Sequence, residues 1–170
     1  MHRSHFYHSH QVFVSAGVIP FTCDAAGKYH FLMQRLTASD RKWTYEDFGG
    51  KSQACDQSLQ DIAIRECLEE TNNTEPFTAD FLKCQMADSR SVIYRIPVCK
   101  YMLYLVYVPP ELLKLDLTRF GANNDEDQRV LEWVSYTTVV GLDDMDLHPR
   151  LGGEFKISLP LILAHGSQYF

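Results

Sequence analysis

The chain has 170 residues, the size of one ordinary domain. At 45% apolar and 22% charged residues it has a globular composition, which excludes a mostly disordered, collagen-like or cysteine-scaffold chain. With 16 Lys and Arg against 22 Asp and Glu, the net charge of −6 gives no global attraction to nucleic acid or anionic lipid, so a phosphate-bearing ligand calls for a bound cation or a local basic cleft.

Residues 1–11 read as a flexible His-rich arm, with His2, His5, His8 and His10 crowded together. Metal capture is the sharper alternative for these histidines. No apolar signal-peptide segment is present in Met1 to Gln11. Residues 12–170 are expected to form a single domain. Val12 to Phe21 reads as a strand with both faces apolar, Val12, Val14, Ala16 and Val18 on one and Phe13, Ser15, Gly17 and Ile19 on the other. Asp24 to Gly27 is a turn, with Gly27 suited to a positive φ, and Tyr29 to Arg35 is the returning strand of a hairpin. Thr37 to Asp47 reads as a polar loop, and Gly49-Gly50 as a chain break. A helix is expected from about Ser58 to Glu70, with Ser58 and Asp61 placed for a capping box and Leu59, Ile62, Ala63 and Cys67 on one stripe. Asn72 can provide a left-handed cap after it.

Beyond the helix, Phe81 to Met86, Val92 to Pro97, Tyr101 to Val108 and Leu131 to Ser135 read as strands. Thr137 to Leu142 and Leu159 to His165 read as helices. Strand hairpins interleaved with helices of different length predict an α+β or mixed α/β sandwich. Tyr101 to Val108 is the most apolar run and falls far short of the roughly 20 residues that cross a bilayer. The five cysteines, Cys23, Cys55, Cys67, Cys84 and Cys99, are odd in number and include no CxxC pair. That pattern predicts reduced thiols, a cytoplasmic setting and no structural zinc.

Chemistry concentrates in Gly49 to Asn73, GGKSQACDQSLQDIAIRECLEETNN. Glu66, Glu69 and Glu70 stand at i, i+3 and i+4, so their carboxylates project from one helix face. Three like charges so close are unfavourable without a divalent cation, and hard oxygen ligands favour Mg²⁺ or Mn²⁺. Arg65, rotated about 100° from Glu66, can pair with Asp61 or Glu69 and orient the cluster. A solvated helix face laced with ion pairs is the plain alternative.

The stretch resembles the signature of the Nudix hydrolase superfamily: a Gly, five residues, a Glu, seven residues, then Arg-Glu-U-x-Glu-Glu-x-Gly-U with U apolar. Gly50 stands at the first Gly, and Arg65-Glu66-Cys67-Leu68-Glu69-Glu70 matches the core. Ser15 to Phe21, Phe31 to Arg35, Trp43 and Glu132-Trp133-Val134 resemble the flanking elements, so the likeness spans roughly Val12 to Val140. The box is one residue longer than the pattern: the acidic position falls on Asp56 counting forward and on Gln57 counting back. The extra residue is expected in the Lys51–Asp56 loop, with Asp56 as Arg65's acidic partner. Asn72 and Asn73 replace the terminal Gly and apolar residue.

The resemblance implies an α/β/α sandwich with a mixed sheet between helices. It implies a Mg²⁺- or Mn²⁺-dependent hydrolase that cleaves a pyrophosphate bond in a nucleoside diphosphate linked to another moiety. Glu66, Glu69, Glu70 and the Gly50 carbonyl match the metal ligands, and Arg65 the orienting Arg. Glu69 is a further catalytic candidate. A base from outside the box would come from the acidic loop, Asp127 first, with Glu126 and Glu132 as competitors. Arg35 and Lys51 are candidate phosphate contacts. Phe48 is a candidate stacking partner, alongside Trp43, Tyr45, Phe21 and Tyr94. His148 to Leu151 can add a basic contact. The alternatives are an RNA 5′-end hydrolase, for which Arg90, Arg95 and Lys100 are a sparse groove, or an inactive nucleotide-binding or scaffold module. No substrate mark singles out one nucleotide.

Overall fold

The structure, a computed structural model, describes residues 5–8, 11–37, 43–120 and 129–165. Part of the N-terminal arm is ordered into sheet: β1 (Phe6–His8) pairs antiparallel with β2 (Gln11–Phe13). Phe6 and Phe13 give it an apolar anchor on the domain core. The strand expected from Val12 to Phe21 is interrupted at Val14, whose N–H and C=O bond to Lys100 and Ser52 outside the ladder. β3 then runs Ser15–Cys23. The interruption explains why Phe13 packs with Ala16 rather than on the opposite face.

β3 and β4 (Tyr29–Leu36) form the expected hairpin, with Gly27 at φ 78° in its turn. They pair only at the closed end, residues 21–23 with 29–31. Beyond it the two strands part into a fork. β5 (Tyr45–Glu46) lines the β4 arm, and β6 (Phe48–Lys51) lines the β3 arm, so Asp47 sits at the junction between them. Gly49-Gly50 therefore does not break the chain; it lies within β6. Gly17 and Gly49 face each other across β3 and β6, and a Cβ on either would overlap the Tyr101 hydroxyl. These glycines serve close approach, not a turn.

α1 (Leu59–Glu70) is capped by Ser58, whose hydroxyl accepts from Asp61 N at 3.0 Å. The capping box is not reciprocal: the Asp61 carboxylate accepts from Gln57 N. Asn72 and Asn73 both take positive φ after the helix. The segment expected as a strand at Phe81–Met86 is instead a helix, α2 (Ala79–Met86). Thr78 caps it by accepting from Phe81 N at 3.2 Å, and Leu82 is buried while Phe81 and Met86 flank it, a helical rather than alternating stripe.

β7 (Val92–Ile96) pairs antiparallel with β8 (Tyr101–Tyr107), which runs parallel to β3 over its whole length. β9 (Arg129–Ser135) closes against β4. The result is a seven-stranded mixed sheet. α1 and α2 pack on one face over Ala16, Val18, Met102 and Val106. α3 (Tyr136–Gly141) and α4 (Gly153–His165) cover the other, over Ile19, Phe31, Leu103 and Leu105. This is the α/β/α sandwich with a mixed sheet. No helix among the described residues is long and apolar enough to cross a membrane.

Candidate active site

The first charge network is built along α1 and the loop before it. Arg65 Nε and Nη2 donate to the two oxygens of Asp56, each at 3.0 Å, a bidentate pair. Nη1 donates to Glu66 at 2.8 Å and Glu69 at 3.2 Å, and Nη2 also donates to the Lys51 carbonyl at 3.0 Å. Burial works against the Arg65 charge, but Asp56 and Glu66 hold the guanidinium above its usual range. Asp56 is held below the usual carboxylate range by the same contact, against its own burial. Arg65 thus pairs with Asp56, not Asp61, which is engaged at the helix cap. Because Asp56 carries the ion pair, the five residues after Gly50 are kept. The extra residue therefore falls after Asp56, at the approach to the cap, rather than in the Lys51–Asp56 loop.

Glu66 and Glu70 turn inward, their side chains only 14% and 12% exposed, whereas that of Glu69 is 51% exposed. The Glu66 carboxylate lies against Gly50 so closely that a Cβ there would overlap it. Burial raises the Glu66 carboxyl above its ordinary value, although Arg65 opposes this. Glu70 accepts from Gln34 Nε2 at 2.8 Å and Arg129 Nη1 at 3.0 Å. Burial pushes its carboxyl up to about 8 despite the nearby Arg129.

The second network fills the fork. Asp47 is fully buried. Its carboxylate accepts from Arg150 Nε at 2.6 Å and from the Tyr101 hydroxyl. Its carbonyl accepts from Gln34 Nε2 at 2.9 Å and from Arg150 Nη2 at 3.3 Å. Gln34 therefore links Asp47 to Glu70. Arg129 continues the chain to Glu46 at 3.4 Å. No sequence pattern marks Asp47, Gln34, Tyr101 and Arg129, because they come from the β5–β6 junction and three separate strands with no common spacing. The only local hint was the position of Asp47 just ahead of Phe48-Gly49-Gly50.

Glu66, Gly50 and Lys51 open onto a cavity of about 1220 Å³ that Tyr101, His148 and Arg150 also line. Glu69 does not line it. It faces a shallower groove with Asp56, Arg65 and Lys83. Glu70 is turned toward the fork. The helix does not bring the three carboxylates to one point, and among the described residues no group of three His, Cys, Asp or Glu side chains is set as a metal site. Several candidates are also displaced from a ligand role. Phe48 is fully buried against α1, because its β6 position points into the core. Phe21, Tyr45 and Tyr94 are core residues too. Arg35 is outside the cavity lining and pairs with Glu132 across β4 and β9 at 2.8 Å. Trp43 packs edge-on against His148. Asp127 and Glu126 lie outside the described residues.

The donor chemistry still fits a hard divalent cation: carboxylates within about one helical turn beside a glycine backbone. Two of them, Glu66 and Glu69, meet on one guanidinium nitrogen. Buried Glu70, pushed toward its neutral form, is a group whose ionised state a cation would stabilise.

No known family profile matches the chain. A curated but uncharacterised protein of Acanthamoeba polyphaga mimivirus is 43% identical over 60 residues, 34% of this chain and 19% of that protein. Among solved structures, RenU, a Nudix hydrolase from M. smegmatis, superposes with TM-score 0.50 at 11% identity, covering 93% of this chain and 91% of that one. A bifunctional NMN adenylyltransferase/ADP ribose pyrophosphatase from Francisella tularensis, complexed with AMP and a Mn ion, gives TM-score 0.51 at 18% identity over 89% of this chain and 41% of that one. The chain has the fold of the Nudix hydrolases.

Proposed function

We propose that this protein is a Nudix-type pyrophosphohydrolase acting on a nucleoside diphosphate linked to another moiety, with Mg²⁺ or Mn²⁺ as cofactor. The observation that carries the reading is the Arg65 clamp. One guanidinium, fixed by Asp56, holds Glu66 and Glu69, and Glu66 lies beside Gly50 at the wall of a cavity roomy enough for a nucleotide. Glu66, Glu69, Glu70 and the Gly50 carbonyl would hold the cation, which when bound would neutralise phosphate charge and make water a better nucleophile.

This chain's own residues have separable tasks. Arg65 positions the carboxylates of Glu66 and Glu69 through contacts that leave substrate alone. Glu69 is the most exposed of the three, its side chain 51% exposed at the rim of the clamp, and is placed to accept a proton from an attacking water. Asp127, two residues ahead of β9 in the sequence, is a second candidate base. Lys51, exposed at the cavity wall, is placed to meet phosphate oxygens. Among the described residues the cavity wall carries Lys51 and an Arg150 already paired to Asp47, which suits a small nucleotide better than an RNA backbone, which calls for a basic track.

A panel of nucleotide conjugates incubated with Mg²⁺ or Mn²⁺ tests the reading, with phosphate or nucleoside monophosphate release as the signal. Turnover should be metal-dependent and fall by orders of magnitude in E66Q and E70Q. The D127N and E69Q variants identify the base. Gly50→Ala is a further probe: its Cβ meets the far end of the flexible Glu66 side chain, so the fold should survive while Glu66 is displaced and turnover lost. Absence of turnover on every conjugate, with no Mn²⁺ binding, would return the chain to the scaffold reading.

A further inference from the structure

The Asp47–Arg150 pair joins parts of the chain 103 residues apart. It rests on a docked C-terminal segment. Thr44 N donates to the Asp146 carbonyl at 2.9 Å, His148 N donates to the Tyr45 carbonyl at 2.8 Å, and Tyr45 bridges in parallel to Leu147. Leu147 and Leu151 are buried on either side of Arg150. The segment thus lies along β5 like a further strand and delivers one guanidinium to the fork.

Simple stabilisation does not account for this arrangement. A buried ion pair often stabilises no more than well-packed apolar groups of the same volume, because both charges must be desolvated. Here the pair is also costly to house. Two opposed glycines, Gly17 and Gly49, leave the slot through which the Tyr101 hydroxyl reaches Asp47. What the arrangement supplies is direction. Arg150 grips both the carboxylate and the carbonyl of one residue, and that residue is the hinge between β5 and β6. On one side of the hinge the backbone runs three residues to Gly50, which abuts Glu66. On the other, the Asp47 carbonyl and Glu70 share a single Gln34 amide nitrogen.

We propose that Arg150 is a positioning residue. By clamping Asp47 it sets Gly50 against Glu66 and, through Gln34, aims Glu70, so that the C-terminal segment completes the cation-binding set. This rests on the reading of the site given above. Arg150 acts through Asp47 and needs no contact with substrate. Tyr101 supports it by holding the second carboxylate oxygen and by lying 5.3 Å from the Arg150 guanidinium at its ring centre.

Two variants keep the Asp47 charge compensated and so keep the fold: Arg150→Lys retains the cation without the fork, and Tyr101→Phe removes one hydroxyl. Mn²⁺ affinity is measured by electron paramagnetic resonance of the free ion, beside kcat, KM and urea midpoint, with Glu66→Gln as the control at the site itself. Removing a partner that orients metal ligands costs about 10–100-fold in metal affinity or activity. R150K is expected to weaken Mn²⁺ binding and lower kcat within that range, with KM for the nucleotide within about twofold of wild type, and Y101F to do the same more mildly. A merely structural Arg150 would shift the urea midpoint and leave the folded protein's Mn²⁺ affinity unchanged. If wild type binds Mn²⁺, E66Q abolishes it, and folded R150K and Y101F bind and turn over as wild type, the positioning role is overturned while the site stands. If wild type itself binds no Mn²⁺, both fall together.

Discussion

Two charge networks flank the same cavity, and they are built on opposite plans. The Arg65 network is drawn from residues 51–69, one loop and one helix, and Glu69 at its rim is half exposed. The Asp47 network gathers residues 34, 47, 70, 101 and 150 from two strands, a helix end, the β5–β6 junction and the C-terminal segment, around a carboxylate with no exposure at all. The first can rearrange locally, since its partners are neighbours in sequence and partly in water. The second can change only if strands move. The local network therefore suits chemistry that needs moving carboxylates, and the non-local one suits holding them in register.

The sharpest way to break the contrast is to remove the cation from each. R150Q leaves Asp47 buried without a counter-charge, which should cost about 3–5 kcal/mol, read as a urea-midpoint shift. The double variant D47N/R150Q removes both charges and should recover a large part of that loss. If R150Q is no less stable than wild type, the fork tolerates a lone charge and the two networks are not different in kind. The matching change in the helix-borne network, Asp56→Asn, weakens one charge-assisted pair whose Arg keeps Glu66 and Glu69. A loss of about 1.5–3 kcal/mol is expected, smaller than that of R150Q, with turnover falling because the clamp loosens.

The same contrast governs what was legible in the sequence. The Arg65 clamp could be read because helical spacing places Glu66 and Glu69 beside Arg65, and the Gly50-to-Asp56 interval brings the acid to it. Even there the length of the box misleads: the helix register places the extra residue in the Lys51–Asp56 loop, whereas the bidentate pair puts it after Asp56. The fork could not be read. Gln34 looked like an ordinary strand residue, and Phe48 next to Gly49-Gly50 looked like a ligand contact until β6 turned it inward. The misread strand at Phe81–Met86 had the same origin. Its apolar residues fit alternation loosely, and only the Thr78 cap and the burial of Leu82 favour a helix. Buried Glu70 belongs to the Arg65 helix by sequence and to the fork by contact. Its raised carboxyl means the metal-free folded protein holds a proton that the unfolded chain releases. Its contribution is therefore present at low pH and lost as pH rises from about 4.5 through about 8. E70Q should remove that slope from metal-free urea curves, and an unchanged slope would place the buried proton elsewhere.

The smallest effect concerns His148, at the edge of the docked segment. Burial lowers its imidazole to about 4, and the Arg150 charge adds to this. Its Nδ1 accepts from Arg150 N at 3.2 Å, and its ring packs against Trp43. The neutral ring is thus the form the fold accepts. Because the folded value lies below the unfolded 6.5, the stabilising contribution is fully present above about 6.5 and is lost as pH falls through about 4. Glu70 works in the opposite direction between about 4.5 and 6.5, so the wild-type curve alone shows a muted dependence. The difference between wild type and H148Q isolates the histidine. Glutamine can still accept from Arg150 N but cannot take up a proton, so the wild-type advantage at pH 7 should shrink steadily toward pH 4. The ring is partly open to water, which screens the effect and keeps it below that of R150Q or D56N. The consequence for the cavity is specific: protonating His148 places a second positive charge beside Arg150 and loosens the segment from β5. Hydrogen exchange at His148 N, bonded to the Tyr45 carbonyl, should accelerate on acidification in wild type and not in H148Q. Equal protection in both proteins across the range would mean that the docked segment is held by Leu147 and Leu151 alone, with no part played by the imidazole.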